Sequence, residues 1–116
     1  LYGETYPLST DTMNWFMGHF LGEDVDGNDP LISPGLNPDL KGLPPAIVVT
    51  AGFDPLVDHG ATYAKQLQQA GNAVSYTCYD SLAHGFTAFT GVVPAARQAC
   101  LEVADQVRVA YSKLSA

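Results

Sequence analysis

The sequence predicts an α/β fold: a parallel β-α-β-α unit over residues 45–116, preceded by a helix and a long loop. Residues 46–51 form an uninterrupted apolar, β-branched run, which is typical of a strand buried on both faces of a parallel sheet. Two stretches of helical periodicity alternate with this run and with a second strand-like segment at residues 74–79. Two strands rarely stand alone, so we expect further structure to cover this sheet.

The first predicted element is a helix within residues 1–22. Thr10-Asp11 would cap it, and its apolar side chains include Trp15, Phe16 and Met17. This aromatic face is either ordinary core or a lining for an apolar ligand, because Met and aromatic side chains adapt to varied apolar groups. Residues 23–44 are polar and broken by Gly and Pro, which predicts a long surface loop.

The β-α-β-α unit begins with a strand at residues 45–51. Asp54 follows as the predicted N-cap of a helix, with Pro55 at its first helical position. Gly71-Asn72 has the composition of a helix C-terminus and ends this helix.

The second half of the unit is a strand, a loop and a helix. The strand is predicted at residues 74–79 and the loop at residues 80–85. The apolar residues of the final helix repeat every three or four positions: Val93, Ala96, Cys100, Val103, Val107, Ala110 and Leu114.

Composition and charge exclude several classes of function. Five Lys and Arg residues against twelve Asp and Glu residues give a net charge of -7, which repels nucleic acid and anionic lipid headgroups. Residues 46–51, the longest apolar run, are too few to span a membrane. No secretory signal is visible and the two cysteines are too far apart for a disulfide framework, which favours the cytoplasm. An opening without methionine suggests that the natural protein begins earlier.

Two residues follow the predicted strands at matching positions. Asp54 lies just past the first strand and His84 just past the second. Loops at the carboxyl ends of parallel strands converge on one crevice, and neighbouring strands lie ~5 Å apart, so these side chains should meet. An aspartate so placed can orient a histidine that takes a proton from a nucleophile, which is two-thirds of a Ser-His-Asp triad.

Simpler interpretations exist for each of these residues. Asp54 before Pro55 is a good helix cap by itself, and His-Gly is a common turn. Asp58, one helical turn further on, is a favourable first-turn acid, and neighbours four apart on one helix do not flank a substrate from two sides. His59 fits a helix surface, and His19 fits the aromatic helix.

The residues themselves resemble the C-terminal third of bacterial hormone-sensitive-lipase-like esterases, which have the α/β-hydrolase fold. The resemblance covers nearly the whole chain from about Leu8 onward. It rests on the following segments: Ser33-Pro34, the run from Leu43 to Asp58, Tyr63-Ala64, Leu67, His84-Gly85-Phe86, and the helix around Trp15-Phe16. One departure is His59, where that family usually has Glu.

The resemblance implies that Asp54 is the acid and His84 the base of a catalytic triad, with no metal or organic cofactor. It also implies that the protein acts on small, short-chain esters. The chain would be the C-terminal portion of one α/β-hydrolase domain, with residues 1–22 as a cap or pocket helix region. We assign substrate-binding roles to Trp15, Phe16, Met17, Leu56 and Phe86.

What the sequence lacks qualifies this assignment. The G-x-S-x-G nucleophile elbow and the HGGG-type oxyanion loop do not occur in it, so we expect the serine in a missing N-terminal part and no activity from this chain alone. The alternatives are a non-catalytic α/β interaction module, or another α/β-hydrolase chemistry such as a peptidase or dehalogenase. Strand 74–79 carries no Pro, Lys or other charge, so it is a candidate edge for a homodimer.

Overall fold

The computed structural model describes residues 7–22 and 25–113. Predictions that concern residues 1–6, residues 23 and 24, or Leu114 lie outside this part of the chain. The elements follow the predicted order and are α1 (Thr10–Phe20), a 3-10 turn (Pro34–Leu36), β1 (Ala46–Phe53), α2 (Val57–Gln69), β2 (Val74–Ala83), a second 3-10 turn (Phe86–Phe89) and α3 (Pro94–Ser112).

The two strands pair in parallel, as predicted, and their first residues are paired with each other. Ala46 is opposite Val74, and the Ala46 amide donates a 2.9 Å hydrogen bond to the carbonyl of Ala73. The two helices that follow the strands lie on opposite faces of this sheet. Thr50 faces α2 at Gly60, whereas its neighbour Ala51 packs against α3, and successive strand residues point to opposite faces.

An irregularity interrupts the pairing near the carboxyl ends of the strands. Ala51 is opposite Tyr79 but Phe53 is opposite Ala83, so one residue of β1 faces three residues of β2. Gly52 is the residue of β1 at this point, and a Cβ there would lie 2.6 Å from the Cα of Asp80. Only glycine lets the two backbones approach so closely.

This close approach also explains why β2 is longer than predicted. The strand continues to Ala83 instead of ending at residue 79, so residues 80–83 of the predicted loop are strand. Leu82 is 5% exposed and belongs to the core, which holds this polar stretch in an extended conformation.

The ends of α1 and α2 correct two details of the prediction. Ser9, not Thr10 or Asp11, caps α1, because its Oγ accepts a 3.1 Å hydrogen bond from the Thr12 amide. Helix α2 begins at Val57, so Asp54 is not its N-cap and Pro55 is not its first residue. The Asp54 carboxylate instead closes a short turn by accepting from the Leu56 amide at 2.9 Å.

The predicted end of α2 at Gly71-Asn72 is confirmed. Gly71 has φ 88°, and its amide donates to the carbonyl of Gln68, while the amide of Asn72 donates to the carbonyl of Leu67. These two bonds form a Schellman motif, which satisfies carbonyls left free at the helix end.

Helix α2 buries Ala64 and Leu67, and a separate core cluster lies between β1, β2 and α3. It is built from Ala51, Leu82, Ala96 and Ala99, with Tyr79 and Phe86 packed against it.

Burial in β1 and at Val107 of α3 is lower than the sequence pattern predicts. Within β1 only Ala51 is buried, because β2 is the only strand beside it in residues 7–22 and 25–113. On α3, Val107 is 39% exposed although it belongs to the apolar repeat. Within the described ranges, no helix is both long enough and apolar enough to cross a membrane.

Candidate active site

Asp54 lies immediately after β1, and its two carboxylate oxygens have different partners. Oδ1 accepts the hydrogen bond from the Leu56 amide, and Oδ2 is 2.8 Å from Nδ1 of His84. Asp54 is only 9% exposed, and among residues 7–22 and 25–113 it is the one polar residue that is buried. A buried carboxylate needs such partners, because burial without them is costly. The turn that follows β1 therefore fixes the orientation of this carboxylate.

His84 lies immediately after β2, facing Asp54. Its backbone amide donates a 3.2 Å hydrogen bond to the carbonyl of Phe53, which ties the start of the loop to the end of β1. Its side chain is 39% exposed, against 12% for the side chain of Asp54. The predicted proximity of the two side chains is confirmed, and their catalytic roles stay a prediction.

Pairing with an ionised carboxylate selects the tautomer of His84. An ionised carboxylate has no proton to donate, so Nδ1 must carry the hydrogen of the 2.8 Å bond to Asp54. In the neutral imidazole, Nε2 is then the unprotonated nitrogen. That nitrogen can accept a proton from a third group, and Asp54 stabilises the imidazolium that results.

The predicted substrate-binding residues fall into two groups. Leu56 and Phe86 each stand two positions after a member of the pair, and both are half-buried. The Phe86 ring packs against the core and meets the ring of Tyr79 edge-on, with centroids 5.7 Å apart. Phe86 therefore anchors the loop that carries His84 to the core.

The second group belongs to α1 and is exposed. Trp15 is 61% and Phe16 55% exposed, and Met17 is exposed as well. Helix α1 has no buried residue, and the Trp15 ring contacts only Phe16 and His19 among the aromatic rings of the described chain. Within residues 7–22 and 25–113 no core covers this face. Neither a hydrogen bond nor a ring contact in residues 7–22 and 25–113 joins these side chains to the Asp54–His84 pair.

The remaining candidate residues lie away from the pair. Asp58 and His59 are exposed in the first turn of α2, and His59 lines an open cleft between this helix and the Pro34–Leu36 turn. Both cysteines are free and half-buried. In the described ranges, no three His, Cys, Asp or Glu side chains are grouped as metal ligands would be.

Sequence reasoning missed two supports of the site. One is the turn in which the Leu56 amide donates to Asp54; the helix-cap signal identified Asp54 but placed the helix start at Pro55, two residues before Val57. The other is Tyr79, whose hydroxyl lies 3.0 Å from the Glu102 carboxylate of α3. No local pattern relates residues so distant in the sequence.

Comparison with known proteins agrees with this arrangement. The model of a family described as alpha/beta hydrolase fold matches residues 1–88. The carboxylic ester hydrolase LipN of Mycobacterium tuberculosis is 46% identical over 87 residues, which are 74% of this chain and 23% of LipN. Human hormone-sensitive lipase is 32% identical over 83 residues, covering 70% of this chain and 8% of the lipase.

A solved structure extends the match to almost the whole chain. The ester hydrolase EH1AB1, from the metagenome of Lake Arreo, was crystallised with a derivative of bipyridine phosphonate. It aligns with a TM-score of 0.88 and 38% identity over 99% of this chain and 36% of its own. The chain thus spans about a third or less of the proteins that it matches.

Proposed function

Because the chain belongs to the alpha/beta hydrolase fold family and to its hormone-sensitive-lipase-like esterases, we propose that the protein containing it hydrolyses carboxylic esters. The observation that carries the proposal is the 2.8 Å contact between Asp54 Oδ2 and His84 Nδ1. The contact stands at the carboxyl ends of two adjacent parallel strands, where open α/β sheets collect their reactive groups.

In the proposed reaction, a serine outside these residues attacks the ester carbonyl. His84 Nε2 accepts the serine proton during attack and delivers it to the departing alcohol. The same nitrogen then takes a proton from the water that attacks the acyl-enzyme. It returns this proton to the serine oxygen as the acyl bond to the serine breaks and the acid leaves. Asp54 holds the ring in one orientation and stabilises its positive charge in both steps.

Small, short-chain esters are the proposed substrates, in keeping with the family resemblance. We place Leu56 and Phe86 at the wall of the pocket because each is half-buried and lies two residues from a member of the pair. Trp15, Phe16 and Met17 are proposed to contribute from α1, acting as a cap over the acyl or alcohol group. Their exposure leaves an apolar face for substrate or for another part of the protein to cover.

The central test uses the full-length protein and a short-chain chromogenic ester. Asp54→Asn should lower kcat by about 10⁴-fold, and His84→Ala by a similar factor, because either change removes the oriented base. His59→Ala is the matched control, since it removes an exposed histidine from the neighbouring helix, and its kcat should stay within about twofold of wild type. Retention of wild-type kcat by His84→Ala would refute the proposal.

A second experiment tests whether residues 1–116 carry a nucleophile of their own. We expect the chain by itself to hydrolyse the ester no faster than its His84→Ala variant, because removing the nucleophile leaves at most weak background catalysis. Faster hydrolysis would show that one of its own residues attacks the ester. The upstream coding sequence separates the chemistries: a serine in a Gly-x-Ser-x-Gly elbow supports ester hydrolysis, whereas an aspartate there would indicate dehalogenation.

We also propose that residues 74–79 of β2 pair with a second copy of the chain. Within the described residues β2 has β1 on one side only, so its other edge presents unpaired backbone groups. Closure about a two-fold axis would satisfy these groups on both copies. Sedimentation of the full-length protein should show a dimer. Cys78→Pro should weaken it, because the register of the two strands turns the Cys78 amide away from β1. A monomer at all concentrations would refute the pairing.

A further inference from the structure

The loop that carries His84 is held at three places, and the third involves a residue outside the catalytic pair. The His84 amide is bonded to Phe53, and its ring is bonded to Asp54. Beyond the ring, Gly85 adopts φ 73° and turns the chain into the 3-10 turn that begins at Phe86. The Phe86 ring packs edge-on against the Tyr79 ring, so the position of Tyr79 constrains the conformation of this loop.

Tyr79 is in turn fixed to α3 through its hydroxyl. The hydroxyl oxygen is 3.0 Å from Glu102 Oε2 and 3.3 Å from the carbonyl of Ala99, so the phenol proton has an acceptor on the helix. The other carboxylate oxygen of Glu102 accepts from Gln98 at 2.9 Å, which orients the carboxylate. Hydrogen bonds to a charged acceptor are stronger than those between neutral groups.

The phenol keeps its proton throughout the pH range in which a histidine base works. Burial of the Tyr79 ring raises its pKa above 10, and the hydrogen bond to Glu102 and the charge of that carboxylate raise the pKa further. The link between Tyr79 and α3 is therefore present at neutral pH.

We propose that Tyr79 is a positioning residue for the reaction: anchored to Glu102 of α3, it sets the direction of the free nitrogen of His84 by buttressing Phe86. Asp54 bonds one ring nitrogen but leaves the ring free to tilt about that bond. The Tyr79–Phe86 contact removes this freedom because it fixes the chain two residues beyond the ring. The proposal rests on the proposed ester hydrolysis, in which Nε2 must point at the serine.

The test compares two Tyr→Phe variants of the same strand in the full-length protein. Tyr79→Phe keeps the ring and removes the link to α3. Tyr76→Phe removes the 3.0 Å hydrogen bond between its hydroxyl and that of Thr50, on the opposite face of β2. Tyr79→Phe should lower kcat about tenfold with KM within about twofold of wild type, because misplacement of a catalytic group acts on the chemical step. Tyr76→Phe should leave both constants near wild type.

Glu102→Ala provides a second route to the same link, and its exposed position keeps the variant folded. It should lower kcat as Tyr79→Phe does, and the double variant should be no slower than either single one, since all three lose one shared contact. Equal kcat for Tyr79→Phe and Tyr76→Phe, or additive losses in the double variant, would overturn the proposal.

A readout independent of turnover separates this proposal from the proposed function. The Nδ1 proton of His84, bonded to Asp54, should give a low-field proton resonance that His84→Ala abolishes. In Tyr79→Phe the resonance should broaden or shift because the ring is less constrained, whereas in Tyr76→Phe it should not. If the wild-type protein hydrolyses no ester yet the resonance responds to Tyr79→Phe alone, the proposed function fails and the positioning contact stands. If ester hydrolysis is normal and the resonance is unaffected, the positioning role fails.

Discussion

Replacing Gly52 by Ala should destabilise the protein and impair the candidate site together. The added methyl group would lie 2.6 Å from the Cα of Asp80 and 2.7 Å from its carbonyl carbon. Carbon atoms in contact are normally about 3.5 Å apart, so the two strands would have to separate by roughly 1 Å at this point. Both obstructing atoms are backbone atoms, which cannot rotate away as a side chain would.

The magnitude follows from this displacement. Forcing a methyl group into a packed interior typically costs about 1 to 3 kcal/mol, and a backbone obstruction belongs at the upper end, so we expect a loss of about 3 kcal/mol in the free energy of unfolding. Asp54 stands two residues after Gly52 and His84 four residues after Asp80, so the same separation displaces both side chains of the Asp54–His84 pair. A misplacement of about 1 Å can cost roughly 10²-fold in kcat.

Urea unfolding of the full-length protein, followed by circular dichroism, measures the first effect, and ester hydrolysis measures the second. Gly91→Ala is the matched control, because a Cβ at Gly91 meets no atom within 4 Å and its φ is not positive. It should change the unfolding free energy by less than about 0.5 kcal/mol. If Gly52→Ala were as stable as Gly91→Ala, the close approach of the two strands would not exist as described.

Three further predictions concern the packing around the sheet. Gly60→Ala should lower the unfolding free energy by about 1 to 2 kcal/mol, because its methyl would lie 2.5 Å from Thr50 Cγ2. In urea unfolding, the double variant with Thr50→Ser should recover most of that loss. If it does not, the contact with Thr50 Cγ2 is not the cause of the destabilisation. Asn72→Ala should lower Tm, with a cost of about 2 to 3 kcal/mol, because the side chain bonds three backbone groups at 2.9, 2.6 and 3.1 Å; an unchanged Tm would contradict these bonds. Above pH 10 the unfolded chain loses the Tyr79 proton while the folded protein keeps it, so stability should fall as pH rises through this range. The phenolate absorbance of wild type minus Tyr79→Phe should therefore titrate above 10, and Glu102→Gln should bring it back toward 10.

The order of elements and the meeting of Asp54 with His84 could be predicted from the sequence because both depend on local signals. Apolar runs and helical repeats mark the elements, and the two residues follow successive strands at matching positions. The Gly71-Asn72 pair likewise marks its helix end, since a positive φ there favours glycine.

Details that depend on tertiary contacts could not be predicted. Residues 80–83 have a turn-like composition, yet the packing of Leu82 and the approach of Gly52 keep them in β2. The start of α2 was misplaced because a cap and a turn preceding a helix use the same Asp-Pro signal. The link from Tyr79 to Glu102 joins a strand to a helix 23 residues away, and no periodicity reports such a pair.

Strands β1 and β2 start at paired residues but differ in length, which limits where residues can be deleted from β2. Strand β2 is two residues longer than β1. Both extra residues lie at the irregularity beside Gly52, between Tyr79 and His84. Side chains alternate between faces, so deleting a single residue from 80–82 would turn the imidazole to the wrong side of the sheet. Related sequences should therefore keep constant the number of residues between Tyr79 and His84.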